Sequence, residues 1–189
     1  MSSSGLMIVD LQKDLCEGGA IAVRGARTVV PKCNGLIHRA RLAGAKIMAT
    51  RLWHPEHHCS FAEQGGPWPV HCVAGTHGAE FHEGLMLPDD LLIINKGTGE
   101  LMEELSALAI PGLLQHLRKL RISRLVLCGV ASEHAVRATA LDAIKGGLEV
   151  VVAADACAGV NARPGDDQLA MMELNAAGAT ICPSTAVTF

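Results

Sequence analysis

Three positions in this chain have types and surroundings suited to covalent acyl chemistry: Asp10, Lys96 and residue 135. Asp10 follows the apolar run Leu6-Met7-Ile8-Val9 and precedes Leu11-Gln12-Lys13-Asp14, while Lys96 stands in Ile94-Asn95-Lys96-Gly97. Each has an ordinary reading when taken alone. A carboxylate after a strand often only caps a turn or helix, and most lysines after strands are solvated. Beside a thiol the two gain a chemical role, in which the carboxylate accepts the thiol proton and the ammonium lowers the thiol pKa and holds the anion. The place for that thiol is the turn after Val126-Leu127-Cys128-Gly129-Val130, where a helix begins and backbone N–H groups stabilise both a thiolate and a tetrahedral oxyanion. The segment there reads Ala131-Ser132-Glu133-His134-Ala135-Val136-Arg137, with alanine where the nucleophile would sit. A methyl group cannot attack a carbonyl.

The elements that must position these residues are legible in the hydrophobic pattern. Short apolar runs alternate with helical patterns, which predicts an α/β chain with a mostly parallel sheet covered on both faces. Strands are expected at residues 6–9, 45–50, 91–95, 124–130, 148–154 and 180–182, and helices at 26–43, 112–120, 134–146 and 166–176. Pro111 suits the first turn of the second helix, and Gly44, Gly146 and Gly178 stand where helices should stop. In doubly wound sheets ligands sit outside the carboxyl ends of the strands. Asp10, Lys96, Ala135 and the start of residues 51–90 all come directly after expected strands, so they should converge on one edge. Residues 51–90, with six histidines and five glycines, show little periodicity. An irregular stretch of that length inside a domain usually carries function.

Composition narrows the classes. A chain of 189 residues suits one domain, residues 1–189, with a single sizeable core. Hydrophobic content of 49% and mean hydropathy of +0.28 are high, but the apolar runs are strand-length and far from the ~20 residues of a membrane span. The segment Met1-Ser2-Ser3-Ser4-Gly5 has no basic region, which predicts no signal peptide and a cytoplasmic location. Seven scattered cysteines, without paired CxxC spacing, read as free thiols in a reducing compartment. A formal charge of -3 without like-charge blocks argues against a nucleic-acid partner. The first strand is followed by Asp10-Leu11-Gln12 rather than GxGxxG, which argues against a dinucleotide-binding oxidoreductase.

Five segments in fixed order carry a specific resemblance. They are Ile8-Val9-Asp10-Leu11-Gln12 with Cys16-Glu17-Gly18-Gly19; Trp53-His54-Pro55-Glu56-His57-His58-Cys59-Ser60-Phe61; Trp68-Pro69-Val70-His71-Cys72-Val73-Ala74-Gly75-Thr76 with Phe81-His82; Lys96-Gly97; and Gly129-Val130-Ala131-Ser132-Glu133-His134. On these the chain resembles the nicotinamidase/pyrazinamidase branch of the isochorismatase-like cysteine hydrolases, from Leu6 to about Cys182. The resemblance implies a three-layer αβα fold with a doubly wound, six-stranded sheet. It also implies a catalytic triad at Asp10, Lys96 and residue 135, and an oxyanion hole from the N–H groups of Ala131 and Ala135 beside a cis Val130–Ala131 peptide. The implied reaction releases acid and ammonia from a small carboxamide through a cysteine thioester. A small-molecule amide is the implied partner, with homo-oligomers but neither nucleic acid nor membrane.

Three departures accompany the resemblance. Ala135 replaces the nucleophile, so the chain as written should be inactive or severely impaired. It reads as a substrate-trapping form of an amidase, or else as a natural non-catalytic homologue that binds a small molecule; a lactam or carbamoyl hydrolase is a further alternative. The resemblance also implies a divalent metal such as zinc, held by His54, His58 and His71 with an aspartate at position 52. That position is Leu52, which predicts a weak or lost site and no obligatory cofactor; Glu56 or His57 could replace the aspartate only if the loop bends. Trp68 matches a ring-stacking tryptophan, but Leu15 stands where a phenylalanine usually faces it, leaving a pocket with one aromatic wall. Cys128 and Cys72 read as small core hydrophobes rather than replacement nucleophiles, and Met171-Met172 as core packing.

Overall fold

Residues 6–9 are apolar without interruption, and all four are fully buried because they belong to a central strand covered on both sides. Leu6 and Ile8 enter one core cluster, Met7 and Val9 the other, as the two-residue period of a strand requires. The computed structural model describes residues 3–189. Met1 and Ser2, part of the segment read for a signal peptide, lie outside the described residues.

The strands are β1 (Ser3–Val9), β2 (Lys46–Leu52), β3 (Leu92–Lys96), β4 (Ile122–Val130), β5 (Glu149–Ala158) and β6 (Thr180–Cys182). They form one sheet in the order β3-β2-β1-β4-β5-β6, and every pairing is parallel. Helix α1 (Ala26–Leu42) covers one face through Val29, Cys33, Leu36 and Ala40. Helices α2 (Leu113–Lys119), α3 (Arg137–Lys145) and α4 (Asp166–Ala176) cover the other with Leu117, Ala140, Ala143 and Leu174. This is the three-layer αβα, doubly wound architecture that the resemblance implies. The chain lays β2 and β3 on one side of β1 and β4 to β6 on the other, so the winding reverses between β1 and β4. A crevice at the carboxyl ends of those two strands results from that reversal.

Some local expectations are corrected by the structure. Pro111 lies before α2, because Gly112 at the helix start has φ of 84° and a left-handed residue cannot be inside the helix. The helix expected from residue 134 is instead a π-helical turn, Ser132–Val136, running into α3. Lys96 is the last residue of β3 rather than the first after it. Met171 packs at the margin of the core, but Met172 is 69% exposed; neighbours on a helix point about 100° apart, so the pair cannot share one face. Residues 53–91 hold no strand or α-helix, only 3₁₀ turns and bridges such as His54 to Val73 and Phe61 to Trp68. Among the described residues no helix is long and apolar enough to cross a membrane.

Candidate active site

Asp10 leaves β1 with φ of 48°, a left-handed backbone. Its N–H reaches the Thr50 carbonyl at 3.1 Å, and the Thr50 hydroxyl donates to Asp10 Oδ1 at 2.6 Å. The other carboxylate oxygen, Oδ2, receives Lys96 Nζ at 2.6 Å, and the same ammonium donates to the Leu105 carbonyl at 2.8 Å. Both charged side chains are essentially removed from water, where an ion pair persists only when its remaining hydrogen-bonding capacity is filled. Gln12, also fully buried, ties the neighbouring strand end in place: its amide donates to the carbonyls of Leu52 and Ala79, and its oxygen accepts from Leu52 N.

The turn after β4 approaches from the other side of the reversal. Gly129 there has φ of 118°, and a Cβ would collide with the Val9 carbonyl oxygen, so only glycine lets β4 and β1 come this close. The Val130–Ala131 peptide is cis, as the resemblance implies. The Ala131 carbonyl accepts from both His134 N and Val136 N, which closes the π-helical turn. Ala131 and Ala135 line one cavity together with Asp10, Leu15, Trp68, His54 and His71. The Trp68 ring meets the His134 ring edge-on at 5.6 Å. Leu15 and Leu52 line the cavity too, so its aromatic surface is limited to Trp68 and the histidines. Lys96, bonded to Asp10, does not itself line the cavity.

The histidine loop packs His54, His58 and His71 around Phe61, with the rings of His54 and His71 5.0 Å apart and those of His54 and His58 stacked at 3.8 Å. Their hydrogen bonds decide which nitrogens remain free. His54 Nδ1 lies 2.8 Å from the Gly97 carbonyl and His71 Nδ1 2.8 Å from the Pro69 carbonyl. A carbonyl only accepts, so both rings carry their proton on Nδ1 and keep a lone pair on Nε2. His58 is the opposite tautomer: its Nδ1 accepts from Ser60 N at 3.2 Å, and its Nε2 donates to the Met102 carbonyl at 3.2 Å. It therefore has no lone pair to give an ion. Burial pushes the His54 pKa down to about 4 and also lowers that of His71, which keeps both imidazoles neutral.

A zinc ion takes at least three protein ligands at such a site. This loop offers two lone pairs and, at position 52, a hydrocarbon. Among the described residues no three histidine, cysteine, aspartate or glutamate groups converge to hold a metal. Glu56 and His57 are exposed and do not line the cavity. The residues present do not fit the metal that the resemblance implies.

No cysteine lines the cavity among the described residues. Cys72 and Cys128 are fully buried, and burial raises the Cys72 thiol pKa steeply while a neighbouring thiol and burial raise that of Cys128; both are poor nucleophiles. Several lining residues had no signal in the sequence, above all Glu103 and Glu104. Glu104 accepts from Gly97 N at 2.9 Å, and Glu103 stands exposed at the cavity rim. Thr50 was equally silent, although its position beside the end of β1 follows from the parallel register that pairs Ile8 with Ala49.

Residues 4–186 match the isochorismatase domain profile. The chain is 36% identical to a nicotinamidase of Escherichia coli (strain K12), over 96% of this chain and 95% of that protein. Among solved structures it is similar to a pyrazinamidase of Pyrococcus horikoshii in complex with zinc, with a TM-score of 0.91, 44% identity, and coverage of 96% of this chain and 99% of that one. It is also similar to PnC1 of L. infantum in complex with nicotinate, with a TM-score of 0.91, 34% identity, and coverage of 100% of this chain and 96% of that one.

Proposed function

Because the chain belongs to the isochorismatase domain family, we propose that its cavity is the carboxamide site of a nicotinamidase-like amidohydrolase whose nucleophile position is held by Ala135. The observation that carries this reading is the intact buried pair of Asp10 and Lys96 at a cavity whose facing wall is Ala135. Maintaining two charges out of water serves no evident packing purpose, and a thiol on the Ala135 backbone would enter the same cavity. The similarity to a nicotinamidase and a pyrazinamidase over nearly the whole length supports an aromatic or heteroaromatic carboxamide as ligand. Residues 1–189 act as a single domain of this kind.

The proposed chemistry needs a thiol at 135. Asp10 takes the thiol proton while Lys96 holds the resulting negative charge. The sulfur adds to the amide carbon, and the N–H groups of Ala131 and residue 135 receive the oxyanion. Ammonia leaves with the proton returned by Asp10, and a water activated by the same carboxylate releases the acid from the thioester. In the chain as written the first bond cannot form. The oxyanion groups are backbone and survive the side-chain change, so the ligand still binds, and hydrolysis falls by a factor on the order of 10⁴ to 10⁶.

The test is ammonia release by the chain and by its Ala135→Cys variant on nicotinamide, pyrazinamide and a panel of aliphatic amides and lactams. Activity confined to the cysteine variant supports the reading. Silence from both folded proteins across the panel overturns the amidase. A second reading, a natural binding protein without catalysis, is favoured by the concurrent changes at Leu15 and Leu52; ligand binding with no activity in the cysteine variant would select it. The seven free thiols support a reducing, cytoplasmic setting. The exposed Leu92 and Ile93 on the edge strand β3 support assembly into a homo-oligomer.

A further inference from the structure

We propose that His54 and His71 serve this cavity as a pair of hydrogen-bond acceptors in place of a metal, and that they select carboxamides whose ring carries an N–H donor. The inference rests on the amide-site reading and narrows its ligand class.

Both rings line the cavity, and each is tied back to the main chain through Nδ1, by Gly97 and Pro69 respectively. That anchoring fixes the tautomer, so the nitrogen left to a ligand is Nε2 with its lone pair bare. His58, which could have offered a proton, spends its Nε2–H on Met102 instead. Leu52 beside them contributes only hydrocarbon, and the rim residue Glu103 adds a carboxylate, again an acceptor. Asp10 takes one hydrogen bond on each oxygen, from Thr50 and Lys96, and its remaining capacity is again that of an acceptor. This side of the cavity therefore presents lone pairs.

The consequence for selectivity is one of sign. A divalent ion at such a wall is a Lewis acid and complements a ligand's lone pair, as on an unprotonated ring nitrogen. Without the ion, the same ring nitrogen faces another lone pair, and a ring N–H finds an acceptor. A buried acceptor left without a partner is costly, whereas one neutral hydrogen bond gained changes affinity by roughly five- to tenfold. Pyrrole-type carboxamides, cyclic ureas and lactams satisfy the wall; pyridine and pyrazine rings do not.

Calorimetric titration of the 189-residue chain in chelator-treated buffer tests this with four probes: nicotinamide, benzamide, pyrrole-2-carboxamide and pyrrole-3-carboxamide. At least one pyrrole carboxamide should bind about five- to tenfold tighter than benzamide, one hydrogen bond's worth, and nicotinamide no tighter than benzamide. His54→Phe or His71→Phe should erase the preference for the pyrrole carboxamide over benzamide. Should those variants misfold, ¹⁵N–¹H correlation of the histidine rings in the unaltered chain replaces them: the pyrrole ligand should move the Nε2 resonances of His54 or His71, and benzamide should not. Equal binding of all four probes overturns the inference and leaves the amide site standing. So does one equivalent of zinc that raises nicotinamide affinity. Failure of every carboxamide to bind the folded chain overturns the amide site itself and this inference with it.

Discussion

Lys96 Nζ stands 2.6 Å from Asp10 Oδ2 although their strands, β3 and β1, are separated by β2. The pair bridges the carboxyl ends of three strands, with Thr50 of β2 holding the second carboxylate oxygen. Removing one partner leaves a buried charge without compensation, which costs about 3–5 kcal/mol. Lys96→Met should lower unfolding stability by that order, and Asp10→Asn together with Lys96→Met should cost clearly less than the sum of the two single changes. Urea unfolding of the four proteins of this cycle measures it; simple additivity would show that the two groups do not act as a pair.

The same pair should matter to catalysis only when a thiol is present. In the Ala135→Cys background, Asp10→Asn should reduce kcat for the best amide by about 10³ or more, since it removes the proton acceptor for both sulfur and water. Lys96→Met should act in the same direction. Iodoacetamide labelling of residue 135 should also slow in the Lys96→Met protein, because the thiolate loses the ammonium that holds its charge. Unchanged labelling would remove Lys96 from the thiol's surroundings.

Much of this arrangement was legible in the chain because strands and site residues obey local rules. The uninterrupted apolar run before Asp10 and that before Gly129 read as strands buried on both faces, and the parallel fold then places the residues after them at one edge. The features that escaped reading depend on long-range hydrogen bonds that leave no pattern. Glu103 and Glu104 lie in an irregular stretch, and Leu105 matters through its carbonyl, which any residue supplies. The tautomers of the three histidines depend on Gly97, Pro69, Ser60 and Met102, so their spacing indicated possible ligands without revealing that His58 is committed elsewhere. The Ser132–Val136 turn departs from an α-helix through the bond from Val136 N–H to the Ala131 carbonyl, a backbone choice that leaves no mark in the residue types.

Metal binding gives a separate prediction about Leu52. The chain as it stands should hold zinc far below one equivalent after dialysis against micromolar zinc, measured by elemental analysis. Leu52→Asp places an anionic ligand beside His54 and His71 and completes the minimum of three, so its zinc affinity should rise at least about tenfold, one added charged ligand being worth more than a kcal/mol. His58→Ala in the Leu52→Asp protein should change that affinity little, because His58 uses both nitrogens within the loop. A large loss on His58→Ala would show that the ring turns to ligate.

Stability should fall in mild acid for a reason that resides in the same loop. His54 is buried with its pKa pushed down to about 4, whereas in the unfolded chain it titrates near ~6.5. Above pH 6.5 the ring is neutral in both states and the group does not penalise folding. As pH falls from 6.5 towards 4 the unfolded chain takes up the proton first, so folded stability declines across that window and declines no further from this group below it. Between pH 7.5 and 5.0 the loss from His54 is about 2 kcal/mol, and His71, lowered for the same reason, adds to it. The carboxylates with lowered pKa values, such as Asp155 and Glu17, lose their contribution mainly below pH 5, outside the interval compared. Denaturant unfolding at pH 7.5 and 5.0, in chelator, should show the decline, and His54→Gln should be less stable at pH 7.5 yet lose less on acidification. An equal decline in the two proteins would assign the acid sensitivity to other groups.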